Sequence, residues 1–168
     1  MIVMDEDNCM VDIAKFYLEF TVEESCGKCT PCRVGNKRLH EMLTKISEGK
    51  GTMEDLDAMR ELAQTIKDTS LCGLGQTSPN PVLSTLDNFY DEYVAHVTEQ
   101  RCPAHQCRDL TVYYINPKKC TGCTLCAHVC PVHAIVGERK ATHIIDPNIC
   151  IRCGSCLEKC RFGAIYVY

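Results

Sequence analysis

The sequence predicts an α+β chain in two parts: a small four-helix bundle, then a small domain built by repeating one unit. Three observations carry that prediction. Apolar residues recur at helical spacing through residues 9–97, and one cysteine-rich unit occurs twice within residues 112–168. Charge also divides between the halves: residues 1–100 hold 18 acids and 9 bases, whereas residues 101–168 hold 4 acids and 9 bases. Residues 98–111 lie between the two parts and read as a Cys/His connector.

The first helix is predicted from Met10, Ile13, Ala14 and Tyr17, and the second from Leu39, Met42, Leu43 and Ile46. Thr52-Met53-Glu54-Asp55 resembles a capping box, in which side chain and main chain satisfy each other's unpaired groups at a helix start. Leu56, Met59, Leu62, Ala63 and Ile66 continue that third helix on one face. Asn80-Pro81 opens the fourth, with a cap and a proline whose missing N–H costs nothing at a helix start. Val82, Leu83, Leu86, Tyr90, Tyr93 and Val97 form its stripe. Four amphipathic helices of this size suit a small bundle, with the Met and Tyr side chains in its core.

The composition of the 168 residues is that of a globular chain, with 45% hydrophobic and 24% charged residues. No apolar run approaches the length of a membrane span. The opening residues, Met1-Ile2-Val3-Met4-Asp5-Glu6-Asp7, lack the basic and apolar regions of a signal peptide. The fifteen cysteines are odd in number, and most fall in Cys-x-x-Cys runs that suit metal centres better than disulfides. A reducing, cytoplasmic compartment follows as the expectation.

The repeat carries the strongest chemistry. Cys120, Cys123, Cys126 and Cys130 form one C-x2-C-x2-C-x3-C ladder, and Cys150, Cys153, Cys156 and Cys160 form the other. Asn116-Pro117 and Asp146-Pro147 precede the two copies, and β-prone stretches at 134–136 and 164–167 follow them. Three close thiolates fit three corners of a 4Fe–4S cube, and the last cysteine of each ladder serves the other cube. One cluster is therefore assigned to Cys120, Cys123, Cys126 and Cys160, and a second to Cys150, Cys153, Cys156 and Cys130. Zinc is the alternative, but it favours two separated pairs of ligands rather than two tight ladders. Pro131 follows the first ladder as in bacterial ferredoxins, which this segment resembles; Arg161 stands at the matching place in the second. Two such clusters, each carrying about −2, bring the +5 of residues 101–168 to roughly +1, which removes the electrostatic case for nucleic-acid binding.

Cys26, Cys29 and Cys32 supply three more close thiolates, and Cys72 a distant fourth, a common 4Fe–4S arrangement beside a zinc knuckle as the alternative. Glycines 27, 73 and 75 leave room for main-chain amides near sulfur. Ser25-Cys26-Gly27-Lys28-Cys29-Thr30-Pro31-Cys32-Arg33, followed by Leu71-Cys72-Gly73-Leu74-Gly75-Gln76-Thr77-Ser78-Pro79-Asn80-Pro81, resembles the C-terminal part of the NADH-binding flavoprotein subunit of respiratory complex I over roughly residues 2–97. With a two-cluster ferredoxin attached, the whole chain resembles the C-terminal part of the beta subunit of electron-bifurcating, NAD(P)-dependent iron-only hydrogenases. NAD-dependent formate dehydrogenases share the arrangement.

That resemblance implies an internal electron-transfer module of a multi-subunit NAD(P)H-dependent oxidoreductase, with other subunits and ferredoxin as partners. The FMN and NAD(P) sites of the family lie on an upstream glycine-rich α/β domain that nothing here matches. Gly73-Leu74-Gly75 is too short for a nucleotide loop. The expectation is an excised fragment or a split subunit, with no catalytic residue of its own. A free ferredoxin-like carrier is the alternative.

Cys9, Cys102 and Cys107 remain after these assignments. With His96 they make a Cys3His set suited to zinc, with His105 as the alternate histidine and inert or redox-active thiols as the other reading. His40, His128, His133 and His143 are assigned to surface or packing.

Overall fold

The computed structural model describes residues 3–168; Met1 and Ile2, which belong to the expected first domain of residues 1–97, lie outside the described residues. The chain forms two compact units that meet in sequence at Leu110 and Thr111. The first is helical and the second carries the little sheet there is.

In the first unit, α1 (Met10–Glu24) is followed by a wide π-type turn, Pro31–Gly35, that runs straight into α2 (Asn36–Ser47). α3 (Met53–Thr69) starts at the expected capping box: Asp55 N–H donates to Thr52 Oγ1 at 3.3 Å, and Thr52 N–H donates to Asp55 Oδ2 at 2.7 Å. A short α4 (Gly73–Thr77) precedes α5 (Asn80–Asn88). The fourth stripe is not one helix. It breaks at Phe89, whose backbone leaves helical geometry (φ −131°, ψ 35°), resumes as α6 (Tyr90–Val94) and widens into a second π-type turn, Ala95–Glu99. Asn88 and Phe89 are exposed, so no core contact opposes the break.

Leu39, Leu43, Ile46, Leu56, Met59, Ala63, Ile66, Val82, Leu86 and Tyr93 are buried in one core, as their spacing predicts. Each such aliphatic side chain contributes on the order of 1.5–3 kcal/mol when fully buried. α1 turns a slightly different face inward. Val11, Ala14, Leu18 and Thr21 are buried, while Ile13 and Tyr17 are only half-buried. Gly35 allows the close approach of α2's first turn to α3, because a Cβ there would lie 2.6 Å from Ile66. The 98–110 segment packs onto this core rather than standing off it: Cys102, Ala104, Cys107 and Leu110 are buried within it. Gln106 Nε2 donates to the Asp7 carbonyl at 2.8 Å.

In the second unit, β1 (Tyr113–Ile115) precedes the first ladder, α7 (Leu125–Val129) lies within it and β2 (Ile135–Val136) follows. β3 (Ile144–Ile145), α8 (Ser155–Lys159) and β4 (Ile165–Val167) repeat that order. β1 pairs antiparallel with β4 (Ile115 opposite Ile165), and β2 with β3 (Ile135 opposite Ile145). The start of each copy thus pairs with the end of a copy, giving the unit its pseudo-two-fold symmetry. Among the described residues, no helix is long and apolar enough to cross a membrane.

Candidate metal centres

None of the fifteen cysteines is paired in a disulfide. Twelve belong to three ladders or sets, and eight of these twelve line two cavities in the second unit.

Two small cavities of similar size lie in the second unit. Cys120, Cys123, Cys126 and Cys160 line the first, and Cys130, Cys150, Cys153 and Cys156 line the second. Each cavity therefore takes three cysteines from one ladder and its fourth from the other. Main-chain donors already reach the crossing sulfurs: Ala134 N–H lies 3.3 Å from Cys130 Sγ, and Ala164 N–H lies 3.3 Å from Cys160 Sγ. The remaining walls are largely apolar, with Ile115 and Ile165 in one and Ile135 and Ile145 in the other. Burial raises the thiols of Cys126 and Cys156, the latter to about 11, with neighbouring cysteines adding to the effect. Four cysteines lining one largely apolar cavity, with a main-chain donor at the crossing sulfur, fit an iron–sulfur cluster, which would draw the thiols into the thiolate form.

In the first unit, Cys32 sits in the π-type turn and is buried. Ser25 Oγ lies 3.3 Å from its sulfur and Asn36 Nδ2 donates to it at 3.4 Å; Asn36 Oδ1 also accepts from Ser78 Oγ at 2.9 Å. The segment bearing Cys72 closes on this turn. A Cβ at Gly75 would lie 3.1 Å from Cys32 Cβ, and a main-chain hydrogen bond from Leu71, together with others, lowers the Cys29 thiol. Cys26 and Cys72 are exposed, as is Leu71 next to Cys72 in the chain. The donor set fits a 4Fe–4S cluster at the surface of this unit.

Cys9, His96, Cys102 and Cys107 are all buried, and their donor atoms lie within 4.8 Å of one another. Cys9 caps α1, and His96 projects from the second π-type turn. Glu92 ties these elements together. Its carboxylate accepts from Met10 N–H at 3.1 Å, and its carbonyl accepts from His96 Nδ1 at 2.7 Å. That second bond fixes the ring's orientation and leaves Nε2 facing Cys9 at 3.3 Å and Cys107 at 3.4 Å. Burial opposes charge on the ring, but the sulfurs of Cys102 and Cys9 outweigh it and raise His96 to about 10. Hydrogen bonds from Cys107 and Cys9 lower the Cys102 thiol, and Cys107 is raised in turn by Cys102 and Cys9. The set demands positive charge among its donor atoms, which a divalent cation supplies as well as a proton does. His105 is exposed and outside the set.

Spacing gives no hint of two features. Both π-type turns carry a candidate ligand, Cys32 and His96, and such widened turns often mark functional positions. His143, assigned no role from sequence, is buried in the wall of the first cysteine cavity.

Residues 12–96 match the family described as the NADH-ubiquinone oxidoreductase-F iron–sulfur binding region. The chain belongs to that family. Residues 119–165 match a second description, the 4Fe–4S dicluster domain. Over 165 residues the chain is 59% identical to the NADP-reducing hydrogenase subunit HndC of Solidesulfovibrio fructosivorans, covering 98% of this chain and 34% of that subunit. It is 38% identical over 92 residues to the beta subunit of the NADP(+)-dependent formate dehydrogenase of Moorella thermoacetica, covering 55% of this chain and 13% of the other. The crystal structure of an NAD+-reducing [NiFe]-hydrogenase in the H2-reduced state superposes with a TM-score of 0.55 at 32% identity, over 57% of this chain and 16% of that one. The chain thus spans about a third, or less, of the length of these relatives.

Proposed function

We propose that this chain is an internal electron-transfer module carrying three 4Fe–4S clusters and one structural zinc. The observation that carries this reading is the pair of cavities in the second unit, each lined by four cysteines drawn from both ladders. Cys26, Cys29, Cys32 and Cys72 would hold the third cluster, and Cys9, His96, Cys102 and Cys107 the zinc. Bound clusters supply one-electron transfer over a range of potentials that the surrounding protein sets. The chain's own residues contribute thiolates, main-chain donors to sulfur and apolar walls that exclude water.

The parent assembly, on this reading, is an NAD(P)H-dependent oxidoreductase of several subunits, most closely an electron-bifurcating hydrogenase that joins NAD(P)H, ferredoxin and hydrogen. The likeness to a subunit of an NADP-reducing hydrogenase supports it. FMN and NAD(P) chemistry is assigned to the remaining length of such a subunit, outside these 168 residues. Fifteen thiols without a disulfide agree with a reducing cytoplasm.

Anaerobic metal analysis tests the reading, with roughly twelve iron atoms and one zinc expected per chain. Four iron atoms per chain, or eight cysteines binding zinc in the second unit, would refute it.

A further inference from the structure

The two cysteine cavities are copies related by an offset of thirty residues. That offset maps Ile115 onto Ile145 and Cys126 onto Cys156, and each member of a pair lines its own cavity. It also maps Leu125 onto Ser155. Leu125 lines the cavity of Cys120, Cys123, Cys126 and Cys160, and Ser155 lines the cavity of Cys150, Cys153, Cys156 and Cys130. Both residues open the short helix within their ladder, α7 and α8. An alkyl group and a hydroxyl thus occupy the same step of the repeat.

Ser155 Oγ lies 3.5 Å from Cys153 Sγ, two residues back in the chain. Gly154 between them takes left-handed backbone (φ 76°), and Thr124 takes it at the same step of the first copy (φ 67°). The local backbone is therefore common to both copies, and the side chains make the difference. Thr124 does bring a hydroxyl to the first copy, but that hydroxyl donates to the Cys123 carbonyl at 2.6 Å rather than to a sulfur. As a free thiol, Cys153 can give its proton to Ser155. A thiolate that ligates iron has no proton to give, so the hydroxyl then becomes the donor of the pair. It donates in its ordinary neutral form, and no titration is needed.

We propose that in the loaded protein the Ser155 hydroxyl donates a hydrogen bond to the Cys153 sulfur and raises the potential of the cluster held by Cys150, Cys153, Cys156 and Cys130, a bond that Leu125 cannot make at the matching place. The proposal rests on the iron–sulfur reading above. Reduction adds negative charge that spreads onto the ligand sulfurs, so a donor aimed at one of them favours the reduced state over the oxidised one. An electron shared between the two clusters is thereby biased towards the second ladder. Ser155 acts through Cys153 and is a positioning residue, not a ligand, since four cysteines already line the site.

The test uses the full chain purified anaerobically with its metals. The signal that survives in Cys160→Ser identifies the second ladder's cluster. In an EPR-monitored titration, Ser155→Ala should make reduction of that cluster about fivefold less favourable, about 40 mV for a one-electron couple, with the first ladder's cluster unchanged. Ser155→Thr, which keeps the hydroxyl, should stay near the wild type. After exchange into deuterated water, electron–nuclear double resonance of the reduced wild type should show an exchangeable proton coupled to that cluster which Ser155→Ala lacks. Identical exchangeable couplings in the two proteins overturn the proposal. So do two potentials that are unchanged or move together in Ser155→Ala, or a Ser155→Thr protein shifted as far as Ser155→Ala. Purified protein lacking iron and sulfide would instead sink the iron–sulfur reading itself.

Discussion

Replacing Cys9 with Ala should destabilise the helical unit far more than the loss of one small side chain would. Cys9 lies 87 residues from His96 and 98 from Cys107, whereas His96 and Cys107 are only 11 apart. A metal held by all four donors therefore closes one long loop and one short one. By the chain-entropy argument, a cross-link closing a loop of about 100 residues contributes about 4.7 kcal/mol, and one closing about 15 residues contributes about 3 kcal/mol. Cys9→Ala leaves the short loop closable and opens the long one, so the loss should be roughly 4–5 kcal/mol. For a unit of this size that corresponds to a Tm lower by on the order of 20 °C. Circular dichroism melts at 222 nm, with and without a zinc chelator and with zinc release measured in parallel, provide the assay. The chelator should bring the wild type and Cys9→Ala to about the same melting point, with the wild type falling further because it alone has the long loop to lose. A Cys9→Ala protein that keeps one equivalent of zinc and melts with the wild type would refute the argument. So would a chelated wild type that melts where the loaded one does, because the site would then contribute packing alone.

Three further outcomes are expected. Cys160→Ser should remove the cluster of the first ladder while the intact second ladder keeps its own, leaving about eight of twelve iron atoms; loss of the second ladder's signal in reduced EPR would contradict the crossed ligand sets. Thr52→Ala should cost about 1 kcal/mol by removing the capping box of α3, read as a Tm lower by about 4–8 °C with iron content unchanged. Asn36→Leu should cost about 1–3 kcal/mol by removing the buried bridge between Cys32 and Ser78. It should also lower the potential of the first unit's cluster alone, measured by EPR-monitored titration.

How much of this is legible in the sequence depends on the range of the physics involved. The capping box and the apolar stripes of α2 and α3 are local, so spacing of 3.6 and the chemistry of Thr52 and Asp55 are enough. The β-prone stretches are also legible, but their partners β1 and β3 are not, because two- and three-residue strands exist only through pairing with a distant segment. The break at Phe89 has no glycine or proline to announce it. The inward face of α1 lies part of a turn from the expected one, since Val11 and Leu18 fit the same period as Ile13 and Tyr17. Elimination singles out Cys9, His96, Cys102 and Cys107, and the fold gathers those four. His143 is invisible to spacing because a lone histidine carries no pattern; only comparison of the copies at an offset of thirty exposes it.

The backbone of the repeat also shows how divergence conceals a shared shape. Gly122 (φ 68°) pairs with Arg152 (φ 57°), Thr124 (67°) with Gly154 (76°), and His133 (54°) with Gly163 (53°). Each pair sits at the same step of its copy, so both ladders take the same three left-handed turns, yet no step has glycine in both. From sequence, a glycine at 122 and an arginine at 152 point to different local backbones. A side chain in that region costs roughly 1–2 kcal/mol, and the chain accepts this twice in the first copy and once in the second. Such a conformation persists only where its surroundings over-determine it. At Gly122 the surroundings are main chain: a Cβ would lie 2.5 Å from the Ala141 nitrogen and 2.6 Å from its oxygen, so there the glycine is obligatory. At Arg152 the left-handed turn sets its own N–H 3.4 Å from Cys150 Sγ. A donor aimed at a ligand sulfur is what a cluster site requires. The strain at Arg152 is thus tied to placing a donor on a candidate ligand's sulfur rather than to chain reversal, and Arg152→Gly should relieve it while leaving that donor in place.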